Sequence, residues 1–234
     1  MKIMTFNIQH GLDYINKVID LDLFVRAIAK YEVDFCGLNE VRGEGPLVDY
    51  EEQTEIIGGK LGFYRYFGEA IKVDGANPYG NAIVSRYSFK SVETIPIPDP
   101  VDKSEPGYYE SRCVIKAIVE TEGKEICFLI CHMGLDTGER VNAVATICRL
   151  VDESDLPTIV MGDFNMEPED ELLLPLRERL RDTAEFDEGA NKATFPSDAP
   201  QIKIDYIFYK GLECKRVETI KEVMSDHLPI LAEF

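Results

Sequence analysis

Short apolar runs, each halted by a polar or turn-forming residue, recur along this 234-residue chain and fix what it can fold into. Residues 2–8, 33–38, 64–70, 81–85, 89–97, 109–120, 125–131, 204–209, 216–221 and 228–234 have the length and composition of β-strands. Between them, residues 21–31 place Phe24, Ala27, Ile28 and Tyr31 at helical spacing, and 137–152 place Val141, Val144, Ala145, Cys148 and Val151 on one stripe. Residues 49–61, closed by Gly62, predict a third helix, and 170–181 a fourth that Pro175 kinks or restarts. His10-Gly11 and Gly75-Ala76-Asn77-Pro78 read as turns, and Glu122-Gly123 as the tip of a hairpin. Pro96, Pro98, Pro100 and Pro106 mark a loop over 96–108. Strand–helix–strand repeats mixed with hairpins predict an α/β sandwich, not a purely parallel doubly wound sheet. No internal repeat and no linker divides the chain, so one domain over residues 1–234 is expected.

The longest apolar runs are far too short to cross a bilayer, and the chain begins at once as a strand instead of a signal peptide. Six cysteines (36, 113, 127, 131, 148, 214) lie mostly inside strand-like segments with no CxxC pair. Buried reduced thiols in a cytoplasmic protein are the expectation, and zinc held by cysteine is not. The 25 basic residues face 43 acidic ones, a net charge of −18. That balance opposes broad capture of nucleic acid, whose affinity comes largely from Lys and Arg on phosphates. It leaves room for a local basic groove, or for a site whose bound metal supplies the positive charge.

The most informative stretch is Thr158-Ile159-Val160-Met161-Gly162-Asp163-Phe164-Asn165. A short buried strand stops at Gly162. If the backbone stays extended, Asp163 and Asn165 project to one face and Phe164 to the other. An anionic oxygen beside a neutral amide can hold a divalent metal and a phosphate together. A strand followed by an Asx turn accounts for the same residues. The pattern recurs, because Asn7, Glu40, His132, Asp205 and Asp226-His227 also stand just past apolar runs. Of the three histidines, His10 reads as an ordinary surface or core residue. In Ser225-Asp226-His227-Leu228-Pro229, neighbouring side chains of an extended chain point apart. Asp226 is therefore not expected to orient His227, and Asp205 is the candidate.

Taken together, Phe6-Asn7-Ile8, Asn39-Glu40-Val41-Arg42, Cys131-His132-Met133, Gly162-Asp163-Phe164-Asn165, Ile204-Asp205-Tyr206-Ile207-Phe208 and Ser225-Asp226-His227-Leu228-Pro229 resemble the endonuclease/exonuclease/phosphatase superfamily. The resemblance runs in order from residue 6 to residue 229. It implies the deoxyribonuclease-like fold, a four-layer α/β sandwich of two mixed β-sheets packed face to face and flanked by helices. It also implies a metal-dependent phosphoesterase that attacks a phosphodiester or phosphomonoester with an activated water. The alternative is a deoxyribonuclease-like endonuclease or exonuclease. By resemblance, Glu40 is the main ligand of a magnesium or manganese ion, with Asn7 and Asp226 close to the same ion. Asp163 orients or deprotonates the water, and Asn165 holds a phosphoryl oxygen. His227, oriented by Asp205, stabilises the transition state or transfers a proton. His132 matches the second histidine of the phosphodiesterase and phosphatase branches. Arg112 and Asn81 are candidate substrate contacts, although an exposed strand charge accounts equally for Arg112.

Arg177, Arg179 and Arg181 are interspersed with Glu178 and Asp182 and read as a solvated face. There is no tryptophan to stack on bases, and Tyr79, Tyr108 and Tyr109 read as rim or core packing. The expected substrate is a phosphate ester smaller than duplex DNA, either a small molecule or a nucleic-acid end. No stable duplex partner, no membrane and a monomer are expected.

Overall fold

The computed structural model describes residues 1–103, 109–187, 189 and 192–234, so Pro106 and Tyr108 lie outside the described residues. In chain order the strands are β1 (Lys2–Asn7), β2 (Leu12–Asp13), β3 (Val18–Ile19), β4 (Phe35–Arg42), β5 (Tyr64–Val73), β6 (Asn77–Ser85), β7 (Phe89–Pro96) and β8 (Cys113–Thr121). There follow β9 (Lys124–His132), β10 (Thr158–Asp163), β11 (Arg181–Asp182), β12 (Asp205–Lys210), β13 (Arg216–Thr219) and β14 (Ile230–Glu233). Helices are α1 (Leu21–Lys30), α2 (Gln53–Leu61), α3 (Thr137–Asp152) and the single turn α4 (Leu174–Arg177).

Two six-stranded sheets run β13-β14-β1-β4-β6-β5 and β11-β12-β10-β9-β8-β7. Each contains one parallel pair, β1 with β4 and β9 with β10, joined through α1 and α3 respectively; the other pairings are antiparallel. This is the mixed architecture expected. Ile3, Phe35 and Ile83 of the first sheet pack against Ile115, Phe128, Ile130, Met161 and Ile207 of the second. Phe35 stacks on Phe128 with centroids 4.5 Å apart. A Cβ on Gly37 would come within 2.9 Å of Met161 Cε, so the sheets approach closely beneath the strand ends. Met4 and Phe6 meet Phe24, Ile28 and Ile57 of α1 and α2 on one outer face, and Leu129 and Val160 meet Val144 and Ile147 of α3 on the other. Removal of such fully buried side chains from water supplies roughly 1.5–3 kcal/mol each before entropy is counted.

Local chemistry sets the helix ends. Asp136 accepts from the amides of Gly138 and Glu139 while Glu139 reaches back, a capping box that starts α3 where expected. Gly62, at φ 69°, closes α2. Other boundaries correct the sequence reading. The predicted helix at 49–61 begins only at Gln53, because the residues before it close a loop through Gly45 N–H to Tyr50 O and Tyr50 N–H to Leu47 O. Asn77 and Pro78 belong to β6 and not to the turn. The strand predicted from 109 starts at Cys113, which leaves Arg112 just before it. The predicted helix 170–181 divides into a 3-10 turn capped by Asp170 and the short α4, with Pro175 in its first turn. The hairpin of β2 and β3 was not anticipated. Arg179 pairs with Asp152 and Arg181 with Glu185, in keeping with a solvated face. The six cysteines are buried and unpaired, and among the described residues no helix is long and apolar enough to cross a membrane.

Candidate active site

The topology brings the polar strand ends together. Parallel strands contribute their C-terminal ends: Asn7 from β1, Glu40 near the end of β4, His132 from β9 and Asp163 from β10. Antiparallel neighbours contribute their beginnings: Asp205 pairs in register with Asp163 at the start of β12, and Asp226-His227 precede β14. Glu40, Arg112, His132, Asp163, Asn165, Asp226 and His227 line one open cleft of about 460 Å³, with His10, Arg42, Tyr50, Tyr79 and Glu110 on its walls.

Asp163 is the hub. Its Oδ2 lies 3.6 Å from Nε2 of His132 and 3.6 Å from Nε2 of His227. It accepts a hydrogen bond from Asn7 Nδ2 at 3.1 Å. Behind His227, Nδ1 meets Asp205 Oδ2 at 2.8 Å, while Asp226 accepts from Gln9 Nε2 and Ser225 Oγ instead. Burial raises the Asp163 carboxyl well above the carboxylate range; the Asp205 charge adds to this and His227 opposes it. Burial alone would lower His227. The Asp205 and Asp163 charges and the Asp205 hydrogen bond outweigh that and hold it up to about 10, so the imidazolium form dominates near neutrality. His132 is the opposite case, held well below its ordinary value by burial and by the charges of Arg112 and His227. Arg112 Nη1 lies 3.2 Å from His132 Nδ1. The Nε2 of His132 lies 3.3 Å from Asn165 Nδ2, which donates to the Met133 carbonyl at 2.9 Å.

Glu40 is fixed by Asn7 Nδ2 at 3.0 Å and by the Tyr79 hydroxyl at 2.8 Å. Asn7 Oδ1 accepts from the Gln9 backbone, so this amide turns its NH₂ to both Glu40 and Asp163. Asn165 was expected on an extended backbone; it sits instead at φ 50° in an Asx turn, its N–H donating to Asp163 Oδ1 at 2.9 Å, and still reaches the cleft. Phe164 turns into the core as expected. Of the eight described non-glycine residues at positive φ, four (Gln9, His10, Glu40 and Asn165) lie at or beside the cleft, so the backbone holds uncommon conformations where the polar groups converge.

Asn81 stands apart. Its amide donates to Cys113 O and accepts from Asn39, placing it beneath the cleft wall and not in the cleft. Asn39, given no role from sequence, donates to Cys131 O at 2.9 Å and accepts from Asp163 N–H at 3.0 Å, pinning the sheets together under the site. His10 lines the cleft, pulled down to about 4 by burial and by the Arg42 charge. Gln9 and Tyr50 were missed as parts of the site, and Tyr79, read as rim or core packing, lines the cleft and holds Glu40.

The sequence profile of the Endonuclease/Exonuclease/phosphatase family matches residues 4–227. The chain belongs to this family. Among solved structures, an endonuclease/exonuclease/phosphatase family protein from Leptotrichia buccalis is 23% identical, with a TM-score of 0.82 over 100% of this chain and 99% of that one. The mannosyl-6-phosphatase of Bacteroides thetaiotaomicron is 17% identical, with a TM-score of 0.76 over 100% and 98% of the two chains. The human Nocturnin catalytic domain with a bound sulfate anion is 18% identical, with a TM-score of 0.73 over 99% and 93%. These likenesses establish the fold. A UPF0294 protein of Vibrio vulnificus is 35% identical over 83 residues, which cover 33% of this chain and 27% of that protein. The match thus spans about a quarter of that relative's length.

Proposed function

We propose that the protein hydrolyses a phosphate monoester or diester in a metal-dependent reaction, with Asp163 as the residue that orients and deprotonates the attacking water. One observation carries this reading: a buried carboxylate flanked at 3.6 Å by two imidazoles, one of them backed by a second carboxylate. The gaps are too long for direct hydrogen bonds, yet they hold three proton-handling groups around one point. Burial makes Asp163 more basic than an ordinary carboxylate, which suits proton removal near neutrality. The His227 imidazolium faces negative charge developing on the phosphoryl oxygens or the leaving oxygen. The neutral His132 ring and the Asn165 amide add hydrogen-bonding groups without repelling an anion. Asp205 keeps His227 in one orientation and supports its positive charge.

Glu40 and Asp226 are hard oxygen donors at the cleft, each already held by neutral groups, and the Oε1 of Gln9 is buried without a hydrogen-bond partner beside them. This set suits magnesium or manganese better than a thiophilic metal. Such an ion would polarise the phosphoryl oxygens and stabilise the leaving group when bound. Asn7, through its NH₂, positions Glu40 relative to Asp163.

The test is hydrolysis of p-nitrophenyl phosphate and bis-p-nitrophenyl phosphate with magnesium, manganese or EDTA, beside single- and double-stranded DNA and an Asp163→Asn control. Metal-dependent ester turnover that disappears in Asp163→Asn, with DNA intact, is the expected result. Rapid DNA cleavage would move the reading to a nuclease. No turnover of any substrate by folded, magnesium-binding protein would remove it.

A further inference from the structure

We infer that the cleft carries a second oxyanion subsite, built on Arg42 beside His10 and Tyr50, and that the substrate is a phosphate ester bearing a second phosphoryl or carboxylate group. The inference rests on the phosphoesterase reading above and adds a substrate class to it.

The argument begins with charge matching. Each acid lining the cleft has donors of its own: Glu40 has Asn7 and Tyr79, Asp226 has Gln9 and Ser225, and Glu110 has Arg112. The guanidinium singled out from sequence, Arg112, is therefore largely committed, to Glu110 at 2.9 Å and to His132. Arg42 is not. In a chain of net charge −18 it makes no ion pair with any carboxylate among the described residues. Its Nη1 donates to the Asp49 carbonyl at 3.2 Å, its guanidinium lies over the Tyr50 ring at 4.6 Å, and its Nε is buried without a partner. These contacts aim the group while leaving its charge without an ion pair among the described residues, so its remaining N–H groups can donate to an oxyanion in the cleft.

The wall around it is joined by hydrogen bonds. Gln53, 1% exposed, accepts from Arg42 N–H at 3.0 Å and donates to the His10 carbonyl at 2.7 Å, tying the two sides of the subsite together. His10 is held at φ 49°, and its ring lies 6.5 Å from that of Tyr79. Arg42 follows Glu40 by two residues on β4, roughly 7 Å along a strand. A second group of the substrate, distinct from the reacting phosphate, binds there.

The experiment compares kcat/KM, in magnesium, for fructose 6-phosphate, fructose 1,6-bisphosphate and 6-phosphogluconate in wild type, Arg42→Met and Arg42→Lys. The readout is the ratio of each doubly anionic ester to fructose 6-phosphate. We expect a ratio of about tenfold or more in wild type, near one in Arg42→Met and intermediate in Arg42→Lys, which keeps the charge but not the fork. Whichever ester shows the ratio identifies the oxyanion as phosphoryl or carboxylate. A wild-type ratio near one, or an unchanged ratio in Arg42→Met, overturns the subsite, as does an equal loss on all three esters. If none of these monoesters turns over, the phosphoesterase reading is decided separately by the nitrophenyl esters, and calorimetric binding decides the subsite. Bisphosphate binding about tenfold tighter than that of the monophosphate, lost in Arg42→Met, supports it, and equal binding overturns it.

Discussion

Nδ1 of His227 lies 2.8 Å from Oδ2 of Asp205, although the two are 22 residues apart. The contact exists because β12 runs antiparallel to β10 and so begins where β10 ends, while the segment before β14 closes over the same place. Leu228 N–H donates to Thr194 O and Ser197 N–H to Asp226 O, which fixes the His227 backbone from below. The imidazole thus has one face committed to Asp205 and its Nε2 turned to Asp163.

This geometry predicts how His227 titrates in metal-free protein. Its value is raised, to about 10, so its contribution to stability is fully present below the unfolded value near 6.5 and is lost as pH rises towards 10. NMR of the imidazole in EDTA should show a charged ring across pH 6–8, with His132 neutral over the same range. Asp205→Asn removes the main raising charge and should lower the His227 midpoint by about 1–3 units. A midpoint unmoved by that change would mean Asp205 does not support the charge.

Replacement of His227 by Ala should reduce turnover by roughly 10²–10⁴, the usual range for a lost acid–base group. In the Asp205→Asn, His227→Ala double variant the losses should not add, because Asp205 acts through the imidazole. Steady-state rates of the four forms check this, and additive losses would separate the two residues.

Much of this was legible in the sequence where a local rule and the tertiary fold agree. Helical spacing over 137–152 located α3, although Val141 and Ala145 of the predicted stripe are exposed and Ala143, Ile147 and Leu150 share the buried face with Val144, Cys148 and Val151. Residue alternation set Asp226 aside as the partner of His227, and the candidate Asp205 is the one that meets it. Legibility failed where long-range contacts decide. Nothing local announces that Glu40 takes φ 58°, since the register shift between Leu38 and Val41 arises from pairing with β6. The Asn39 bridge depends on Cys131 and Asp163, and one of the two Arg112 contacts depends on His132, 20 residues away. Asp163 and Asn165 show both readings at once, an Asx turn that is also part of the cleft.

Tyr79→Phe removes the hydroxyl that holds Glu40 at 2.8 Å. Loss of one hydrogen bond to a charged group is worth about 1.5–3 kcal/mol at most. We expect a several-fold higher magnesium concentration at half-maximal activity, with maximal activity largely retained. Glu40→Gln should weaken the magnesium dependence further. Magnesium titration of both variants checks the order, and identical curves for Glu40→Gln and wild type would exclude Glu40 as a ligand.

Asn39→Ala leaves the Asp163 N–H, the Cys131 carbonyl and the Asn81 amide oxygen without their present partner in a fully buried layer. Each unsatisfied group costs about 1–3 kcal/mol, reduced by any relaxation. A loss of roughly 2–4 kcal/mol in urea unfolding is expected, although Asn39 does not line the cleft. A loss below about 0.5 kcal/mol, the level of an ordinary surface change, would show that the bridge does not hold the sheets.

Gly162 tests whether the strand end must be this tight. It precedes Asp163 at φ 146°, and a Cβ there would fall 1.8 Å from the Cys131 carbonyl oxygen, a backbone atom that cannot rotate away. Gly162→Ala must therefore push β10 from β9 at the point where Asp163 and His132 stand in register. Overpacking of this kind costs about 1–3 kcal/mol and the disfavoured φ adds to it. Turnover should fall more than stability, because a displacement of about 1 Å at a positioned group can cost 10²-fold in rate. Thermal melts and kcat measured together decide this: a destabilised variant with wild-type kcat would mean that the Asp163–His132 spacing is not what the glycine protects.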